Sequence, residues 1–145
     1  MTITNMTSEH VSQVAELEKL CFGTEAWSEK SVASELTNRL SLWLVALDGD
    51  RVVGYVGSQT VLGGSDMMNL AVLPEYRKQG IGERLVNDLV EHLKENGACC
   101  LVLEVRQSNA PAISLYTKLG FQQVGLRPNY YRNPRENALI LRKEW

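Results

Sequence analysis

No apolar run in this chain is longer than about six residues, as in Leu42 to Leu47. A helix that crosses a bilayer needs about 20, so a membrane-spanning role is excluded. The opening stretch "MTITNMTSEH" has neither a basic start nor an apolar core. It does not read as a signal peptide, and a cytoplasmic location is the expectation. Histidine is scarce: only His10 and His92 are present. Neither is spaced to act as a metal ligand with the cysteines or as the base of a Ser-His-Asp arrangement, so no metal is expected. The three cysteines, Cys21, Cys99 and Cys100, are an odd number. Buried free thiols are the simplest expectation. Excess positive charge is also missing. Fifteen Lys and Arg stand against seventeen Asp and Glu, for a net charge of −2. That balance leaves no electrostatic footprint for nucleic acid, while a cationic substrate is not repelled. Repeats, low-complexity tracts and linkers are absent from the 145 residues, which read as a single domain over 1–145.

What is present is an alternation of strand and helix signals. "TITNM" reads as a first strand. Thr7 or Ser8 can cap a helix to about Phe22, with Val11, Val14, Leu17 and Leu20 to Cys21 on its apolar face. Ser28 can cap a second helix to about Arg39. "LWLVAL" and Arg51 to Val61 flank Asp48-Gly49-Asp50 as a hairpin, and Asp66 to Val72 follows Gly63-Gly64. A helix from about Ile81 to Asn96 carries Leu85, Val86, Leu89, Val90 and Leu93 at helical spacing. Cys99 to Val105 is a strand, and "SNAPAISLYTKLG" a short helix with Pro111 in its first turn. Phe121 to Leu126 and Ala138 to Arg142 close the chain as a hairpin around a loop of about eleven residues. The order β-α-α-β-β-β-α-β-α-β-β predicts an α/β (α+β) domain, a mixed sheet with helices on both faces.

Two places carry chemistry. "RKQGIG" lies between a strand and a helix start. Gly80 and Gly82 permit a tight turn and close approach of a ligand, and the free N–H groups of the helix suit a phosphate or pyrophosphate. The loop is not a Walker motif, and Leu85 stands where the dinucleotide fingerprint needs a third glycine. The other place is "LVLEVR", where Glu104 interrupts a strand that is otherwise apolar up to Arg106. An ionised carboxylate is expensive to bury without a partner. Glu104 shares a strand face with Val102 and Arg106, so a structural ion pair with Arg106 or another cation and a catalytic role are both open. Tyr116 falls with Ala112, Leu115 and Leu119 on one helix face, where periodicity alone makes it a core tyrosine. Trp27, Tyr130 and Tyr131 form an aromatic group outside the core pattern, suited either to hairpin packing or to clamping an extended chain. Glu25, Glu29 and Glu35 flank the front loop and read either as solvated charges or as a preference for basic peptides.

"NLAVLPEYRKQGIGERLV" resembles the central acetyl-CoA motif of the GNAT superfamily of N-acetyltransferases, and "LEVRQSNAPAISLYTKLGF" resembles the motif that follows it. With "AWSEKS" near the front and "RPNYYRNPRENALIL" at the end, the resemblance covers essentially the whole chain. It narrows to the bacterial RimI family, the ribosomal-protein-alanine N-acetyltransferases. This resemblance implies a GNAT fold and acetyl-CoA as cosubstrate. The acceptor it implies is the N-terminal alanine of a small-subunit ribosomal protein. It implies that the backbone of Leu70, Ala71 and Val72 runs beside the pantetheine arm. Arg77, Lys78, Gln79, Gly80, Ile81, Gly82 and Glu83 would surround the pyrophosphate, and Asn109 would contact the cosubstrate. Glu104 occupies the family's base position and Tyr116 its acid position, with Trp27, Tyr130 and Tyr131 toward the peptide. The family's proline before "WSE" is Ala26 here. An acetyltransferase for another amine and a silent acetyl-CoA-binding sensor both fit the cofactor motif as well.

The acceptor implied suits a carboxylate base. An N-terminal amine of pKa ~7.8 is roughly a quarter neutral at pH ~7.4, whereas a lysine is only about a thousandth neutral. A modest base then suffices.

Overall fold

A computed structural model describes residues 1–145. The chain forms strands β1 (Thr2–Asn5), β2 (Ser41–Asp48), β3 (Arg51–Val61), β4 (Gly64–Val72), β5 (Cys100–Arg106), β6 (Gln122–Arg132) and β7 (Arg135–Glu144). Its helices are α1 (Val11–Phe22), α2 (Glu29–Ser34), α3 (Ile81–Glu95) and α4 (Ala110–Lys118). The seven strands make one sheet in the order β1-β2-β3-β4-β5-β7-β6. All neighbours are antiparallel except β4 and β5. The expected element order and mixed sheet are both present. No helix is long and apolar enough to cross a membrane.

Alternation along the strands gives the sheet two apolar faces. Leu44, Ala46, Val53 and Val56 pack with Leu85, Val86, Leu89 and Leu93 of α3, and with Leu101, Leu103 and Val105 of β5. Trp43, Val45, Val52 and Tyr55 face the other way, onto Val11, Val14 and Leu17 of α1 and Val32 of α2. Tyr116 and Leu119 place α4 on the α3 side.

Four local expectations need correction. The second helix stops at Ser34 instead of running to Arg39. Its last residues spend their side chains on local bonds that compete with helical ones. Ser34 Oγ donates to the Ser31 carbonyl, Thr37 Oγ1 to that of Ser34, and Asn38 Oδ1 accepts from the Leu40 N–H. The long loop expected between the last two strands is mostly strand, closed by a turn at Asn133-Pro134 with a cis peptide. Pro128 and Asn129, which fall inside the expected loop, sit instead in a register break of the edge strand β6. There Pro128 is paired with no residue of β7, and Asn129 adopts φ 55 while its N–H donates to Asn137 Oδ1. The cysteines are free, but Cys99 is exposed and only Cys100 is fully buried. On α1, Leu20 is 61% exposed and Glu18 takes the buried position.

One feature of the sheet creates a site. β4 and β5 pair only at Gly64–Cys100, Ser65–Leu101 and Asp66–Val102, and beyond those residues the strands part.

Candidate active site

The parted strands line a cavity of about 960 Å³. Met67 to Leu70 form one wall and Leu103, Glu104 and Val105 the other. Asn109, Ala112, Leu115 and Tyr116 of α4 close it on one side, and Glu25 and Trp27 of the α1–α2 loop reach it from another. Arg127, Tyr130, Tyr131 and Arg132 of β6 line it as well. Glu104, Tyr116, Asn109, Leu70, Trp27, Tyr130 and Tyr131, each singled out in the sequence, therefore meet at one cavity. Ala71, Val72 and the stretch Arg77–Glu83 are not part of that lining.

Glu104 does not pair with Arg106. Its nearest cation is Arg127, with Nε 3.7 Å from Glu104 Oε2. Oε2 is buried and has no hydrogen-bond partner. Arg106 is engaged elsewhere. It reaches Glu25 at 3.1 Å and Glu136 at 3.3 Å, and it donates to the carbonyls of Asn133 and Pro134. Its guanidinium also lies 4.2 Å from the centre of the Tyr131 ring. Arg106 thus ties the α1–α2 loop to the β6–β7 turn across the mouth of the cavity.

Tyr116 is the core tyrosine that its helix face predicts, and it also reaches the cavity. It is buried, packs edge-to-face on Phe121 at 5.5 Å, and still lines the cavity. Its hydroxyl touches only Met67 Sδ, at 3.8 Å. Burial pushes the phenol well above its ordinary range, so it keeps its proton. Tyr131 is pushed up to about 12, first by burial and then by the Glu104 carboxylate. Burial, the Glu104 charge and hydrogen bonding toward Glu104 raise Tyr130, against the lowering effect of Arg127. Tyr130 and Tyr131 stack edge-to-face at 5.0 Å.

Trp27 owes its place to a residue that the apolar pattern passed over. The buried Glu18 carboxylate accepts from the Trp27 N–H at 2.8 Å. It also accepts from Asn69 Nδ2 at 3.0 Å on both oxygens. Asn69 lies on β4 just beyond a register break, where Gly57 pairs with Asn69 and Ser58 with Met67. Glu18 therefore fixes the front loop and the irregular part of β4 at once. Burial raises its pKa, against the lowering effect of those bonds. The signal was available, since Glu18 sits four residues after Val14 and seven after Val11, on the buried stripe. Trp27 also packs edge-on to Trp43 at 5.4 Å. The Ala26 N–H donates to the Gly23 carbonyl, a bond that a proline at this position could not make. Glu35, expected beside the front loop as a surface charge, is buried and binds Trp43 Nε1, Gln59 and Asn38.

The glycine loop leads from the end of β4 to α3. Lys78 and Gly80 both have positive φ, 63 and 81, and Gly80 is the N-cap of α3. The first N–H groups of α3 have no partner within the helix. Side chains around them are mostly committed to bracing. Arg77 Nε donates to the Val72 carbonyl and Nη2 lies 3.5 Å from Cys21 Sγ, while Glu83 pairs with Lys118 at 3.0 Å. Gln79 Nε2 donates to the Glu75 carbonyl. A Cβ on Gly82 would stand 3.6 Å from Leu115, which lines the cavity, so loop and cavity are adjacent. Asn109 caps α4 by accepting from the Ala112 N–H.

Known proteins resemble this chain in sequence and in fold. The sequence pattern of the acetyltransferase (GNAT) family matches residues 11–121. The ribosomal protein bS18-alanine N-acetyltransferase of Escherichia coli (strain K12) is 39% identical over 117 residues, covering 79% of this chain and 78% of its own. The protein of that name from Haemophilus influenzae is 42% identical over 101 residues, covering 68% of each chain. The crystal structure of the Escherichia coli ribosomal-protein-S18-alanine N-acetyltransferase superposes with a TM-score of 0.90 at 33% identity, over 99% of this chain and 92% of that one. An aminoglycoside 6'-N-acetyltransferase crystallised with coenzyme A shares the fold, with a TM-score of 0.85 at 23% identity, over 99% of this chain and 97% of that one. With a matched pattern over most of its length and relatives near 40% identity, the chain belongs to the GNAT family of acetyltransferases, in its ribosomal-protein-alanine branch.

Proposed function

We propose that this enzyme transfers the acetyl group of acetyl-CoA to the N-terminal α-amine of a protein, the N-terminal alanine of a small-subunit ribosomal protein of the bS18 type. The convergence of Glu104 from β5 and Tyr116 from α4 on one cavity carries the reading. The names of the relatives supply the acceptor. The parted strands and the glycine loop fit a long phosphorylated thioester: an open gap beside Leu70, free N–H groups at the start of α3, and Asn109 at the cavity wall. Acetyl-CoA supplies the activated acyl group. Glu104 takes the proton that the attacking amine gives up, directly or through one water. Tyr116 donates its hydroxyl hydrogen bond to the sulfur as the C–S bond breaks. Its raised pKa favours stabilising the developing thiolate over early proton loss. Trp27, Tyr130 and Tyr131 hold the extended end of the acceptor.

The test is an acetyl-transfer assay with thiol release and peptide mass as readouts. The panel comprises alanine-terminated peptides, the same peptides N-blocked with an internal lysine, and free amines. One added acetyl on the α-amine of the alanine peptides is expected. Transfer confined to lysine or to small amines would replace the acceptor, and thiol release with none of them would leave a binding domain.

Gly82→Asp tests the cofactor half alone. An acidic residue in the first turn favours the helix dipole, so the fold should keep its stability. The same charge opposes a pyrophosphate, and acetyl-CoA affinity should fall by about tenfold or more. Calorimetry on the folded variant decides, and an unchanged affinity removes the loop from the site.

A further inference from the structure

Two arginines stand near Glu104, and they are held very differently. Arg106 is fixed by Glu25, Glu136, two carbonyls and the face of Tyr131. Arg127 has only the Glu104 carboxylate at 3.7 Å and the Tyr130 ring at 5.7 Å. That separation from Glu104 is a charge contact and not a hydrogen bond. The Arg127 side chain is 57% exposed, and it springs from β6 where the register with β7 breaks. A pair of this kind is weak and readily exchanged. Both residues line the one cavity into which an acceptor amine must come. A second cation arriving at Glu104 meets the first and is repelled by it.

We propose that Arg127 is a displaceable counter-ion for Glu104: it holds the place of the acceptor's ammonium in the empty site and leaves when the acceptor binds. The inference rests on Glu104 being the group that receives the amine, as proposed above. Arg127 acts through Glu104 and is a positioning residue. The exchange loads acceptor binding with the work of moving one cation. It also keeps the buried Oε2, which no hydrogen bond satisfies, from standing without any charge partner between turnovers.

Around the cavity that holds Glu104 the other charged and titratable groups are Asp66 on β4, Arg106 on β5, Tyr116 on α4, Tyr130, Tyr131 and Arg132 on β6, and Glu25 on the α1–α2 loop. The cation closest to the carboxylate is Arg127, so its removal should leave the carboxylate open to an incoming ammonium.

The test compares wild type, Arg127→Met and Arg127→Lys. With an alanine-terminated peptide, KM should fall by about three- to tenfold in Arg127→Met while kcat stays within about twofold, and Arg127→Lys should keep the wild-type KM. A KM that is unchanged or raised in Arg127→Met overturns the proposal, since Arg127 would then either be irrelevant to acceptor binding or contact the peptide itself. Tighter calorimetric binding of the peptide to Arg127→Met, in a protein that acetylates no α-amine, would leave the counter-ion in place and defeat the proposed function instead.

Discussion

Glu104→Gln should reduce acetyl transfer to an α-amine at pH ~7 by about 10²–10⁴-fold, the range that follows loss of a general base. The fold should be little affected. Glutamine has nearly the same shape, and its amide is easier to bury than a carboxylate. The one ionic partner lost is Arg127, more than half exposed, so the pair contributes at most about 1 kcal/mol. The deficit should shrink as pH rises through ~8, because hydroxide then produces the neutral amine that the side chain no longer generates. Thermal stability and the pH profile of kcat/KM on this one variant are decisive. A destabilised protein whose pH profile matches the wild type would make Glu104 a structural residue.

Tyr116→Phe should lower kcat by about 10²–10³-fold. The ring contributes to the core and to the contact with Phe121, and both survive the substitution. Only the hydroxyl is lost, and its sole partner is the Met67 sulfur at 3.8 Å, a weak acceptor. Stability and acetyl-CoA affinity should therefore hardly change. Because burial holds the phenol protonated far into the alkaline range, no alkaline limb of the wild-type rate should come from Tyr116 itself. The profiles of the wild type and of Tyr116→Phe should then have the same shape at different heights. A variant with near-wild-type kcat would leave Tyr116 as a core residue only.

Much of this was legible in the sequence where periodicity is strong. The stripe of α3 and the alternation of β5 place their residues as expected, because burial of one face dictates them. The site residues were legible only in part. Glu104 is conspicuous because a carboxylate inside an apolar strand violates the local rule. Glu18 violates the same rule on α1, yet Leu20 and Cys21 offered an apolar continuation from Leu17, and the pattern settled there. Only packing against Asn69 and Trp27, distant by 51 and 9 residues, selects the stripe that contains Glu18. Arg127 had no local signal at all. Its meeting with Glu104 depends on β6 lying beyond β7 in the sheet, an order that runs against the sequence. The last hairpin was read too short for a related reason. Pro128 and Asn129 are turn formers locally, and an edge strand tolerates them.

The three residue pairs that join β4 to β5 are also a seam in the sheet. On one side lie β1 to β4 and on the other β5, β7 and β6, with no backbone ladder between them beyond the closed end. What holds the halves together past that point is side-chain packing under α3 and α4 and the Arg106 bridge at the mouth. Backbone ladders resist shear, whereas packed side chains yield to small rotations. The free enzyme should accordingly breathe along this line, with those amides of Met67–Val72 and Leu103–Arg106 that face the seam exchanging faster than those of the fully paired stretches of β2 and β3. A ligand lying in the seam would act as the missing strand. Binding would then show up as a gain in the cooperativity of unfolding, felt on both sides of the sheet at once.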